Sequence, residues 1–136
     1  ANIDFKFYRF GKDDTTVRLY SMDNTEKDGE FKGSNGATLK SITKKCMTRF
    51  IIKNDLNYEN ATVASLKKVL SSTIDKSKLT PFKAGDIIVF KTGSASTSGG
   101  NKIGVMKVIK MVDNKTLGSS DPRANIMVVE IKMPTK

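Results

Sequence analysis

Three apolar runs fill the last third of this chain, and they restrict its fold more than any other feature. "GDIIVFKT" (85–92) holds four successive apolar residues, Ile87 to Phe90, a pattern that needs burial on both faces of a strand. "KIGVMKVIKMV" (102–112) repeats that character over a longer stretch. "ANIMVVEIKM" (124–133) alternates so that Met127, Val129, Ile131 and Met133 share one face. Segments rich in turn formers separate the runs: the Gly/Ser/Thr/Ala stretch Gly93 to Gly100, and "DNKTLGSSDPR". Strands joined by such plain reversals form an antiparallel meander. Lys91, Lys107, Lys110 and Lys132 lie in or beside these runs and are expected to discourage edge-to-edge pairing.

Earlier segments fit the same picture. In "NIDFKFYRF" (2–10), Ile3, Phe5 and Phe7 fall on one side and Asp4, Lys6 and Tyr8 on the other, the signature of a half-buried strand. "GKDD" reads as a turn and "TTVRLYSM" (15–22) as a second strand, giving an N-terminal hairpin. Residues 23–36 are polar and Gly-containing and read as an exposed loop. Leu39, Ile42 and Cys46 have helical spacing ahead of a β-branched and aromatic strand at about 46–53. The helix is at 60–72: Asn60 or Thr62 caps it, Val63, Leu66, Val69 and Leu70 form its stripe, and Lys67 and Lys68 lie opposite. Thr80-Pro81 forbids its continuation. The expected fold is α+β, a mostly antiparallel sheet or sandwich with one main helix, and residues 1–136 fit one domain. No run of about 18 apolar residues occurs, so no helical membrane span is expected. The chain opens almost inside a strand, which reads as a trimmed or processed start.

The composition narrows the chemistry. With no histidine, the usual general base, the commonest metal ligand and any Ser-His-Asp or Cys-His arrangement are excluded. Cys46 is the only cysteine, so it forms no internal disulfide and reads as a small core residue. The expectation is no enzyme, no metal and no cofactor. A phosphate-binding P-loop would need Gly, four residues and Gly-Lys-Ser/Thr leading into a helix. Here the residue five after Gly93 is Ser98, Lys102 precedes Ile103, and a strand follows, so the segment reads as a hairpin tip.

Net charge is +10, and it is uneven: residues 1–60 carry 11 Lys+Arg against 9 Asp+Glu, residues 61–136 carry 13 against 5. Such a surface attracts polyanions. Lys44, Lys45, Arg49, Lys53 and Lys67, Lys68, Lys76, Lys78 form the basic clusters; converged on one face, they would bind nucleic acid with steep salt dependence. In "FKFYRF", Phe5 and Phe7 belong to the core, leaving Tyr8 and Phe10 outward as a stacking surface. The candidate ligand-binding residues are therefore Tyr8, Lys44, Lys45, Arg49, Lys67 and Lys68. Asp86 reads as a turn-bonding residue, and no carboxylate pair with glycosidase spacing stands out. Asp23, Asn24, Glu26 and Asp28 come nearest to a calcium loop without reaching its acid density.

The order of pieces "IDFKFYRFGKDDTTVRLYSMD", "CMTRFIIKNDLNYENATVASLKKVL", "FKAGDIIVFKT", "NKIGVMKVIKMVDN" and "IMVVEIKMP" resembles secreted surface lipoprotein modules of Bacteroidetes. It departs where Ser21-Met22-Asp23 replaces a Ser-Pro turn and where the Gly/Ser tip is longer. The resemblance implies an exported chain, tethered to the outer surface by a lipid on a removed N-terminal cysteine and often encoded in glycan-uptake loci. It carries no catalytic motif. The reading is a non-catalytic cell-surface interaction module with a glycan or protein partner; a nucleic-acid or polyanion binder is the alternative.

Overall fold

The computed structural model describes residues 4–9, 16–70, 76–93, 100–121 and 125–135. In chain order its elements are β1 (Phe5–Arg9), β2 (Val17–Ser21), a 3-10 turn (Leu39–Ser41), β3 (Arg49–Ile52), α1 (Val63–Leu70), β4 (Lys78–Leu79), β5 (Ile87–Lys91), β6 (Ile103–Val112) and β7 (Ile126–Lys132). They form two antiparallel sheets, ordered β1-β2-β4 and β3-β5-β6-β7. The α+β reading therefore holds, with sheet dominant.

The three late runs pair as consecutive antiparallel neighbours, Phe90 opposite Gly104 and Met106 opposite Ile131. β6 is bulged at Ile109, where the register with β7 slips by one residue. The slip preserves the inward face: Met106 and Val108 before it and Met111 after it all point to the same core. Of the expected tip, Gly93 to Gly100, residues 94–99 lie outside the described residues; on either side of it Lys91 pairs with Ile103 and Thr92 N–H donates to the Lys102 carbonyl at 2.8 Å. The "GKDD" turn and Phe10 also lie outside the described residues.

The four-stranded sheet is covered twice, as the unbroken run in β5 requires. Ile88 and Phe90 face Phe50, Met106, Leu19, Val17 and Phe82, the interior between the two sheets, joined by Phe5 and Phe7 of β1. Val89 faces the other way, onto Val105, Tyr58 and Leu66 of α1. The helix is shorter than 60–72 at its start, and residues 71–75 lie outside the described residues. Its cap is Thr62: Thr62 Oγ1 accepts from Ser65 N–H at 3.2 Å while Thr62 N–H donates to Ser65 Oγ at 2.9 Å. β3 is likewise shorter than 46–53. Asp86 bonds a turn as expected, accepting from Lys83 N–H at 2.8 Å.

Two expectations fail, for one reason. Residues 23–36 are not only an exposed loop; although many of their side chains are exposed, the stretch folds back over the outer face of β1 and β2. Asp28 is buried there, and Phe31 is half-buried. Consequently Tyr8 does not face outward. It is 7% exposed, with Phe31 at 5.7 Å and Tyr20 at 6.3 Å between ring centroids and the Lys27 ammonium 5.5 Å from its ring. Alternation places Tyr8 on the face away from the main core, but here that face has a second cover.

Candidate functional site: a groove held by a buried charge network

The segment over β1–β2 is fixed by charge. Lys6 points outward from β1, opposite Tyr20 on β2. Its ammonium donates to Asp28 Oδ1 and to the Asn24 carbonyl, both at 2.6 Å, and lies 5.8 Å from the rings of Tyr20 and Phe31. Lys45 holds the other oxygen of Asp28. Lys6 is 4% and Asp28 1% exposed, so this is a buried carboxylate between two cations. Burial pushes the Asp28 carboxyl up; the hydrogen bonds and charges of Lys45 and Lys6 outweigh it, and the group lies below its ordinary value.

Two further ties flank it. Arg49 grips Asp23 with Nη1 at 2.9 Å and Nη2 at 2.7 Å, while Ser21 Oγ donates to Asp23 and accepts from Thr48 N–H at 2.7 Å. Burial raises the Asp23 carboxyl, and the bonds from Arg49 and Ser21 carry it below the usual range. Tyr20 O–H donates to Glu26 at 3.3 Å, and Lys78 caps Glu26 at 2.8 Å. Desolvation, then the nearby Glu26 charge, pushes the Tyr20 phenol up to about 12. The four residues closest to a calcium set are thus ligated internally: Asp23 by Arg49, Glu26 by Lys78, Asp28 by two lysines, and Asn24 through Ser77 and Lys6. Among the described residues no group of three or more acids or cysteines is placed to hold a metal ion.

Beyond Asp28 the chain makes a small reversal. Lys32 bridges to Thr38, Gly33 N–H donates to the Ala37 carbonyl at 2.8 Å, and Asn35 Oδ1 accepts from Ala37 N–H at 3.1 Å. Gly36 sits at φ +78°, which a side chain would strain. The reversal and the 3-10 turn enclose an open groove of about 740 Å³. Phe31, Leu39 and Ile42 give it apolar lining; Glu30, Lys32, Asn35, Thr38 and Ser41 give it polar lining. Phe31 is backed by Tyr8, itself packed on Tyr20, so Tyr8 supports the groove from behind.

The basic residues do not form one platform. Lys45 and Arg49 are spent on Asp28 and Asp23. Lys44 is exposed beside them, whereas Lys67 and Lys68 are exposed on α1, which covers the opposite side of the four-stranded sheet. Lys68 lines a separate hollow of about 490 Å³ with Ile51, Leu56, Ser65 and Val69. Cys46 is buried, and burial pushes its thiol up, with a 3.5 Å contact to Thr48 Oγ1. The sequence reading does not find the groove, because its lining straddles the polar loop of 23–36 and the helical spacing that begins at Leu39. The signal was Phe31, an aromatic set among turn formers. No protein-family model, no curated protein and no solved structure matches this chain.

Proposed function

We propose that this chain is a non-catalytic interaction module of the cell surface, and that the groove of residues 30–42 takes a glycan. The observation that carries this is Phe31, an aromatic residue set in an open groove whose rim offers Asn35, Thr38, Ser41, Lys32 and Glu30. The electron-rich face of an aromatic ring accepts the weakly positive C–H face of a sugar, and amide, hydroxyl and charged groups fix its hydroxyls. The lining has Glu30 as its one acid, whereas glycoside hydrolysis uses two carboxylates flanking the bond, so binding without cleavage fits better. The sequence resemblance to Bacteroidetes surface lipoprotein modules supports the same location, with a lipid anchor as the membrane link.

A glycan array followed by NMR titration tests the ligand. Binding should map to residues 30–42 and disappear in Phe31→Ala with the sheet intact. Absence of binding across glycan classes, or binding unchanged by Phe31→Ala, refutes it. An export signal ending in cysteine upstream of this segment tests the location. A polyanion binder is the second reading, favoured by the exposed Lys44, Lys67 and Lys68. No binding to heparin, RNA or DNA at low salt would remove that reading, because counterion release favours binding most strongly there.

A further inference from the structure

β7 is an edge of the four-stranded sheet, and the direction of its backbone groups follows from its neighbours. Val108 N–H donates to the Asp86 carbonyl at 3.0 Å, and the Val108 carbonyl accepts from Gly85 N–H at 2.7 Å. Even-numbered residues of β6 before the bulge therefore point their backbone at β5, and odd-numbered ones point at β7. Val105–Lys132 and Lys107–Glu130 are then the hydrogen-bonded pairs of the β6–β7 ladder. Glu130 and Lys132 turn their N–H and C=O groups inward; Val129, Ile131 and Met133 turn theirs out along an edge that no strand among the described residues covers. Pro134, which cannot donate, has the inward parity, so the edge keeps its donors.

The edge is also poorly guarded. Lys91, Lys107 and Lys110 were expected to deter pairing, but Lys91 and Lys107 belong to interior strands and Lys110 follows the bulge on β6. Lys132 alone lies on β7, and its ammonium folds over the outer face. It lies 4.3 Å from the Tyr58 ring centroid and 2.9 Å from Glu59 Oε2. Ile131 and Met133 stand 46% and 41% exposed on the face that otherwise packs inward.

We infer that β7 pairs antiparallel with β7 of a second copy of this chain, about a two-fold axis at Ile131. In that register Ile131 meets its own counterpart and Val129 meets the second copy's Met133, apolar against apolar. On the other face Glu130 stands opposite the second copy's Lys132, twice by symmetry, and that ammonium turns toward it from Glu59. Moving the axis to Glu130 sets two carboxylates face to face. Moving it to Val129 sets Glu130 against Val128 and Lys132 against Ile126. Only the Ile131 axis matches charge with charge while using every outward donor, and it joins two four-stranded sheets into one.

Sedimentation or light scattering across a wide concentration range should show a monomer–dimer equilibrium. Ile131→Pro removes only an outward N–H, a place where edge strands tolerate proline, so it should keep the circular dichroism spectrum and weaken the dimer roughly tenfold or more. Glu130→Lys should weaken it too, and Glu130→Lys with Lys132→Glu should restore it. Independently of those folds, Ile131→Cys should oxidise to a covalent dimer, its α-carbons being about 5.5 Å apart, whereas Val129→Cys should not link to itself across roughly 13 Å. A chain monomeric at every concentration overturns the inference. So does a dimer indifferent to Ile131→Pro, or self-linking through residue 129 in place of residue 131.

Discussion

Asp28→Asn is the most informative single change, since it removes charge and keeps shape. In the parent, the Asp28 carboxylate is shared by Lys6 and Lys45 beneath the segment that covers β1 and β2. Removing one member of a buried pair leaves uncompensated charge, at a cost of roughly 3–5 kcal/mol. Two features pull toward the lower figure: Lys6 keeps its bond to the Asn24 carbonyl, and Lys45 is near enough to the surface to reach water. The expected loss is therefore about 3 kcal/mol, read as a urea midpoint by circular dichroism at pH 7, or roughly 10 °C in Tm. The pH dependence adds a second check. The folded Asp28 pKa is depressed, so its contribution is fully present above the unfolded value of about 3.9 and is lost as pH falls through the folded value. The gap between parent and variant should be constant from neutrality to about pH 5 and close in more acid solution. A variant within about 1 kcal/mol of the parent at pH 7 would refute the reasoning, because the two lysines would then have found water or another partner.

Other changes test single contacts. Thr62→Ala should cost about 1 kcal/mol by breaking the reciprocal cap with Ser65, while Asn60→Ala should leave the urea midpoint nearly unchanged. Gly104→Ala should destabilise by about 1–3 kcal/mol, because its methyl would collide with the Phe90 ring and the Met133 sulfur; a neutral result would mean that the β5–β7 packing yields easily. In an alkaline ultraviolet titration, Tyr20 should stay protonated past pH 11 in the folded chain. Its raised value contributes stability that is present below the unfolded value of about 10 and lost as pH rises toward 12.

Much of the fold was legible because its strands follow the period-two rule. Ile87 to Phe90 announced a strand buried on both faces, and it is, with the inter-sheet core on one side and Leu66, Tyr58 and Val105 on the other. The cover over β1 and β2 was not legible, because it depends on contacts between residues distant in sequence. Lys6 and Asp28 are 22 positions apart, and each alone looks like an ordinary surface charge. The same blindness misplaced Tyr8: alternation gives the side of a strand, not what lies over that side. Lys45 and Arg49 were read as available cations, since a local list of charges does not show which are paired. β4 escaped notice because two residues, Lys78 and Leu79, are too few to show a period.

The internal pairing also decides where the charge excess resides. Residues 1–60 are close to balanced, and their acids Asp23, Glu26 and Asp28 are answered by Arg49, Lys78, Lys6 and Lys45 around β1–β2. Residues 61–136 hold 13 cations against 5 acids, so the surplus falls on the half of the chain that follows α1's start, with Lys67 and Lys68 exposed on the helix itself. A polyanion contact is therefore expected at Lys67 and Lys68 on α1, and the groove proposed for a glycan should be electrically mild. Replacing Lys67 and Lys68 by glutamine should then reduce heparin retention at low salt and leave glycan binding in the groove untouched. Loss of both together would mean that one surface serves both, which the placement of α1 and the groove on opposite sheets opposes.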